Sequence, residues 1–308
     1  MSFTSQIKEE LTKIVSPARG VRLAELAAMT VICGQVTGDL GAEKEFTFAT
    51  ENEFVARKCF TLAQKSLKVY VGASVRVHKN KTGGKRNFRV FVAGENAVAA
   101  VLEALKEEKQ LPVRVHSLLC KDSEQRRAVL RGYFLACGMM SDPQKGYHLE
   151  LAVTDRETAE QILSLMESFS LEGRTINRKN HIVVYLKEGE GIADFLKVIG
   201  AGGALLAFES ARVYKDMRGR VNRKVNCEAA NIQKTVNAAT RQREDILLVE
   251  KRRGLSSLPK ELSQVAALRL EYPEASLEEL GKMCEPPVGK SGVNHRLRRI
   301  GQIARELS

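Results

Sequence analysis

Two nine-residue segments of this chain share one layout, 104 residues apart. Residues 26–34 read Leu-Ala-Ala-Met-Thr-Val-Ile-Cys-Gly, and residues 130–138 read Leu-Arg-Gly-Tyr-Phe-Leu-Ala-Cys-Gly. Each starts at Leu, places a small residue third and ends Cys-Gly. A repeat at this separation restricts the first two-thirds of the chain to architectures that contain one unit twice.

The register continues beyond the motif. At the same offset Glu53 falls on Glu157, and each opens an amphipathic helical stretch. In 53–67 the apolar positions include Phe54, Cys59, Phe60 and Leu67; in 157–169 they include Ala159, Ile162, Leu163, Leu165, Met166 and Phe169. A hairpin follows each helix. The first goes out over 69–77, turns at 80–84 and returns over 87–93; the second uses 174–178, Lys179-Asn180 and 181–187. Helices at 96–105 and 190–199 then close each unit, with Val98, Val101, Leu102 and Leu105 answering Ile192, Phe195, Leu196 and Ile199. A duplicated α+β unit of this kind predicts a domain with pseudo-two-fold symmetry.

The chain has 308 residues, enough for two ordinary domains or three small ones. Its formal charge of +12 points to a polyanionic partner, most often nucleic acid. Trp is absent and aromatic residues make up 6%, which disfavours an aromatic ligand cleft or a base-stacking platform. The Cys residues (33, 59, 120, 137, 227 and 284) include no C-x-x-C pair and stand beside no His cluster. That argues against a zinc site and suits a reducing cytosol. No signal-peptide core or membrane-length apolar run is present. The expectation is a cytoplasmic, nucleoid-associated protein with no metal, no cofactor and no membrane insertion.

Each nonapeptide sits at the C-terminal end of an apolar helix, expected over 22–36 and 125–140. Small residues Ala28, Gly34, Gly132, Ala136 and Gly138 would let two helix backbones approach closely. This layout resembles the LAGLIDADG motif of homing endonucleases. In that family two such helices join the halves, the flanking sheets form a saddle on DNA, and an acidic eighth residue ligates the catalytic metal. Here the eighth positions are Cys33 and Cys137. Hard Mg²⁺ requires oxygen ligands, and a thiol is largely neutral at pH 7. The expectation is a degenerate, non-catalytic site. Asp39 and Asp142 lie five or six residues further on and are the acids of the alternative, an active metal-dependent endonuclease.

Three segments carry the excess charge. Residues 76–89 hold Arg76, Lys79, Lys81, Lys85, Arg86 and Arg89 with no acid, so the first hairpin could follow a phosphate backbone or simply be a charged edge. The second hairpin has only Arg174, Arg178 and Lys179. Residues 212–234, read as a junction, add Arg218, Arg220, Arg223 and Lys224 as further backbone contacts; a helix is expected over 228–253, ended by Gly254.

From Leu258 three helices are expected. Pro259 starts one over 261–270 and Pro273 ends it. Ser276 and Glu279 form a capping box for a short helix over 277–284. After a turn, Ser291 caps a third helix whose apolar stripe is Val293, Leu297, Ile300, Ile303 and Ala304. This is helix-turn-helix grammar. The expected DNA contacts are Ser276, Lys290, Ser291, Asn294, His295, Arg296, Arg298 and Arg299, with Arg suited to guanine, Asn to adenine, and the helix start to phosphate.

Taken together, 131–138, Asn222-Arg223, 226–231, 276–280 and 290–297 resemble the WhiA family of Gram-positive bacteria. The resemblance implies a transcription regulator tied to sporulation, cell division or chromosome segregation. Its partners would be double-stranded DNA and, in actinobacterial members, a WhiB-type iron–sulfur protein. The expected fold class is α+β: a duplicated LAGLIDADG-like domain over 1–221 (halves 1–108 and 109–221), a basic linker and helix over 222–257, and an all-α helix-turn-helix domain over 258–308. A third reading makes the chain chiefly a cell-division scaffold.

Overall fold

The computed structural model describes residues 1–38, 44–80, 83–107 and 111–307, which form two compact units, Met1–Asp216 and Met217–Ser308. In the first unit the helices α1 (Phe3–Thr12) and α2 (Arg19–Cys33) lead into the strands β1 (Gly34–Thr37) and β2 (Glu45–Thr50). Then come α3 (Glu53–Ser66), the hairpin β3 (Gly72–Asn80) and β4 (Gly83–Ala93), and α4 (Glu95–Leu105). The order repeats as α5 (Ser123–Cys137), β5 (Gly138–Met140), β6 (Leu149–Val153), α6 (Arg156–Glu167), β7 (Arg174–Arg178), β8 (His181–Leu186) and α7 (Gly189–Ile199). Both sheets are antiparallel with equivalent strand orders, β1-β2-β4-β3 and β5-β6-β8-β7.

Local chemistry repeats only in part: the caps of α3 and α5 have no side-chain counterpart on α6 and α2, whereas the ends of α4 and α7 match. Asn52 caps α3 by accepting from the Phe54 and Val55 amides, and Asp122 caps α5 through the Gln125 amide. The helices α4 and α7 have eleven residues each, and both end in a left-handed residue, Lys106 (φ 67°) and Gly200 (φ 86°). The strands of the first hairpin have 9 and 11 residues against 5 and 6 in the second. On β6, Leu149, Leu151 and Val153 turn into the core while Glu150 and Ala152 turn outward.

The two motif helices pack on each other, and their Leu26, Met29, Leu130, Tyr133 and Phe134 are buried in the core of this unit. Both helices end at the motif Cys, three residues before the expected limits, and a strand begins at the next residue. A Cβ on Gly34 would stand 2.5 Å from the Thr30 carbonyl oxygen, and one on Gly138 2.6 Å from that of Phe134. Only glycine lets the chain turn back so close to the last helical turn.

Helix α8 (Gly202–Arg253) starts in the first unit and ends in the second. Its first amides, Gly203 and Ala204, donate to the Glu10 carboxylate at 2.7 and 2.9 Å. Helix thus begins well before residue 228, where the sequence suggested it. The region lacks proline, and its Gly219, Asn and Val residues lower helix propensity without interrupting it. Gly254 (φ +77°) ends α8 as expected.

The second unit adds α9 (Lys260–Glu271), α10 (Leu277–Met283) and α11 (Lys290–Glu306). Its core contains Val265, Leu280, Val293, Leu297, Ile300 and Ala304, and also Ile246 and Val249 from the end of α8. The helix-turn-helix body therefore draws core residues from before Leu258. Among the described residues, no helix is long and apolar enough to cross a membrane.

Candidate nucleic-acid interface

The third motif positions face each other. A Cβ on Gly132 would lie 2.4 Å from the Glu25 carbonyl oxygen and 2.8 Å from Ala28 Cβ. Next to Gly132, Arg131 Nε and Nη2 donate to the two carboxylate oxygens of Glu25, one turn from Ala28, each at 3.0 Å. Lys58 Nζ meets Glu25 Oε1 at 3.0 Å and donates to the Leu11 carbonyl at 3.1 Å and also to that of Ile14. Burial lowers the Lys58 pKa, and Glu25 opposes that shift. Sequence reading missed this cluster because its members come from three helices and it breaks the repeat: the equivalents of Glu25 and Arg131 are Val129 and Ala27.

Cys33 and Cys137 end the paired helices. Burial raises their thiol pKa values to about 11 and about 12, while the charge of Lys8 on α1 pulls both down. Burial lowers the Lys8 pKa, and the two cysteines oppose that shift. The eighth motif positions thus carry protonated thiols beside a buried lysine, a set without the hard oxygen ligands that Mg²⁺ takes. Lys8 was also missed, although Phe3, Ile7 and Leu11, spaced four apart, mark α1 as an amphipathic helix. The Asp142 carboxylate accepts from the Gln144 amide at 2.9 Å in an exposed turn. Asp39 lies outside the described residues, and among those described no group of three His, Cys, Asp or Glu could hold a metal ion.

The basic hairpin does not present its charges together. Its register pairs Arg76 with Asn87 and Val77 with Arg86, so Arg76 and Arg86, both exposed, project from opposite faces. Arg89 shares the Arg76 face but is engaged: it meets Glu45 at 2.8 Å, Thr47 Oγ1 at 3.3 Å, and stacks over Phe91. It is a bridge within the sheet and not the free phosphate contact expected. Lys81 and the side chains of Lys79 and Lys85 lie outside the described residues. In the second sheet, Arg178 on β7 meets Glu150 on β6 at 3.0 Å. By contrast, Arg218, Arg220, Arg223 and Lys224 are all exposed on α8.

In the second unit the capping box forms: Glu279 N donates to Ser276 Oγ at 3.2 Å, and Ser276 N to Glu279 Oε2 at 2.8 Å. These bonds lower the Glu279 pKa. The connecting turn folds back on α10, where Val288 N donates to the Gly281 carbonyl at 2.9 Å. This places the N-cap of α11 at Gly289, two residues before the expected Ser291, so Lys290 and Ser291 stand exposed in the first turn.

Along α11, Ser291, His295, Arg298 and Gln302 are exposed at intervals of four, three and four residues and form one continuous face, with Arg299 beside it. Gln302 was not anticipated; its spacing from Arg298 is the signal that would have found it. Arg296 is excluded from this face. Its side chain is 16% exposed and bonds Glu261 on α9 at 3.1 Å, because it lies one turn from both Val293 and Ile300 on the buried flank. Asn294 is half-buried and, with Ser276, Lys234, Arg243 and Arg269, lines a cleft of ≈ 670 Å³. Arg269, buried, donates through Nη1 to the Ala275 carbonyl at 2.6 Å and fixes the turn before α10.

Comparison with known proteins agrees with this arrangement. A family model described as the WhiA LAGLIDADG-like domain matches residues 126–218, and one described as the WhiA C-terminal HTH domain matches 221–304. The probable cell division protein WhiA of Lachnoclostridium phytofermentans is 43% identical over 99% of this chain and 98% of its own. This chain belongs to the WhiA family. A WhiA relative from Clostridium perfringens (strain 13) is 42% identical over 100% of this chain and 98% of its own. The crystal structure of full-length DUF199/WhiA from Thermatoga maritima matches with a TM-score of 0.61 at 27% identity, covering 100% of this chain and 99% of that one. The α+β class, with a LAGLIDADG-like domain followed by a helical HTH domain, is therefore the WhiA fold.

Proposed function

We propose that this WhiA-family protein is a sequence-specific, non-catalytic DNA-binding regulator of genes linked to cell division, chromosome segregation or sporulation. The observation that carries the reading is the exposed face of α11, where Ser291, His295, Arg298 and Gln302 line up beside Arg299 above a buried apolar stripe. A capped helix, a turn and a second helix with a polar, cationic outer face match the dimensions and chemistry of a major-groove reader. Lys290 and the amides opening α11 would position a phosphate. WhiA relatives named for cell division support the assignment of the process.

Non-catalysis rests on Cys33 and Cys137. Thiols with raised pKa values beside Lys8 supply neither the negative oxygens nor the charge that a metal phosphodiesterase needs. Partners are double-stranded DNA and a further regulatory or division protein, at the nucleoid.

Genome-wide occupancy tests the reading. Wild-type protein should give discrete peaks that vanish for Arg298→Ala/Arg299→Ala; unchanged peaks would favour a scaffold role. Incubation of supercoiled plasmid with Mg²⁺ or Mn²⁺ should leave it intact. Nicking abolished by changing Asp39 and Asp142 would establish the nuclease instead.

A further inference from the structure

We infer that residues 217–243 of α8 form a second DNA-contacting helix, which reads adenine-containing base pairs through a stripe of amides flanked by cations. This rests on the DNA-binding reading of the same unit. Every residue from 220 to 238 is exposed, so among the described residues nothing buries this stretch. An isolated helix needs good formers to persist in water. Here Gly219, Val221, Val225, Val236, Thr235 and several Asn lower its propensity. A poor helix former without tertiary support needs a partner that holds it.

The distribution of side chains indicates which partner. At about 100° per residue, Asn222, Asn226, Gln233 and Asn237 fall on one face, roughly 60° wide. On one flank of them lie Arg223, Lys234 and Arg241, roughly 40–60° beyond the stripe, while Arg220 and Lys224 turn to the far side. The apolar residues Met217, Val221, Val225, Ile232 and Val236 form a second stripe, which borders the amides on the other flank through Val225 and Val236. The sole acid in 217–243, Glu228, falls on that apolar side one turn from Lys224, so the face made by the amides with Arg223, Lys234 and Arg241 carries no negative charge. Within the stripe, Gln233 Nε2 donates to Asn237 Oδ1 at 2.9 Å; among the described residues no bond ties these amides to another element.

This pattern suits a duplex. A helix enters the major groove, where Asn and Gln pair with the adenine N6 amine and N7, and flanking Arg and Lys meet phosphates. A protein partner would select the apolar stripe. A single strand would demand stacking rings, yet this stretch has no aromatic residue.

The test is selection from a pool of randomised duplexes using the full chain. The decisive variant is Asn222→Ala/Asn226→Ala/Gln233→Ala/Asn237→Ala. Alanine is a better helix former than either amide, so the helix itself is not weakened. The wild type should select a two-part motif. The amide variant should lose an adenine-containing part, keep the rest, and bind the best wild-type duplex at least tenfold more weakly. Changing Arg223, Lys234 and Arg241 to Ala should flatten the log K against log [salt] slope by about 3. An amide variant that selects the same motif with the same affinity overturns the inference. Persistence of the whole motif in Arg298→Ala/Arg299→Ala would count against the α11 reading alone.

Discussion

Arg131 clasps Glu25 through two 3.0 Å hydrogen bonds across the seam between the duplicated halves, and Lys58 shares the same carboxylate. All three charges are buried, so removing the anion leaves two cations facing each other. Glu25→Ala should destabilise the first unit by about 3–5 kcal/mol, the range for breaking a buried pair. Arg131→Met, which leaves the Glu25–Lys58 pair, should cost less. Urea unfolding of both variants checks the order; an equal or reversed order would show that the triad does not act as a unit.

Gly132→Ala probes the seam sterically. The added methyl meets backbone as well as Ala28, so the helices must separate. Overpacking of this kind costs about 1–3 kcal/mol. Chemical denaturation should show the loss, and a second change, Ala28→Gly, should recover only part of it because the Glu25 carbonyl contact remains.

How much of this was legible in the sequence follows from the range of each interaction. The repeat was legible because both nonapeptides obey the same local requirement: a small third residue for the seam and Gly after the helix end. Gly254 and the Ser276–Glu279 box are likewise set within a few residues. Glu25, Lys58 and Lys8 were not legible, since each depends on a partner brought close by tertiary packing. Arg89 and Arg296 were misread for that reason too: composition counts a charge but not the Glu45 or Glu261 that engages it. The Arg296 error was avoidable, because its spacing from Val293 and Ile300 already places it on the buried flank.

The thiols at the motif ends make a chemical prediction. With pKa values of about 11 and 12, Cys33 and Cys137 are almost wholly protonated at pH 8. Alkylation acts on the thiolate. Mass spectrometry after iodoacetamide treatment at pH 8 should find exposed Cys227 modified first and the motif cysteines spared until the pH nears 10 or above. Early modification of Cys33 or Cys137 would contradict the buried, protonated assignment.

The capping box makes α10 sensitive to acid. Hydrogen bonds from Ser276 lower the Glu279 pKa in the folded state. A lowered carboxylate contributes stability above its ordinary range, and loses it as pH falls through the folded value. Ser276→Ala should cost about 1 kcal/mol near pH 7. The gap in thermal midpoint between wild type and variant should shrink as pH drops from 5 toward 3. A gap independent of pH would mean that Glu279 is not part of the cap in solution.

The central claim is that the exposed face of α11 reads base pairs. Fluorescence anisotropy of the full chain on a specific and a scrambled duplex, at one fixed salt concentration, tests it most directly. Loss of a good base contact costs about 1–3 kcal/mol, roughly 5- to 150-fold. Arg298→Ala should therefore weaken specific binding by that factor and barely change scrambled-duplex binding, while Arg296→Ala should change neither by more than about twofold. Equal loss on both duplexes for Arg298→Ala, or undiminished specificity, would contradict the account.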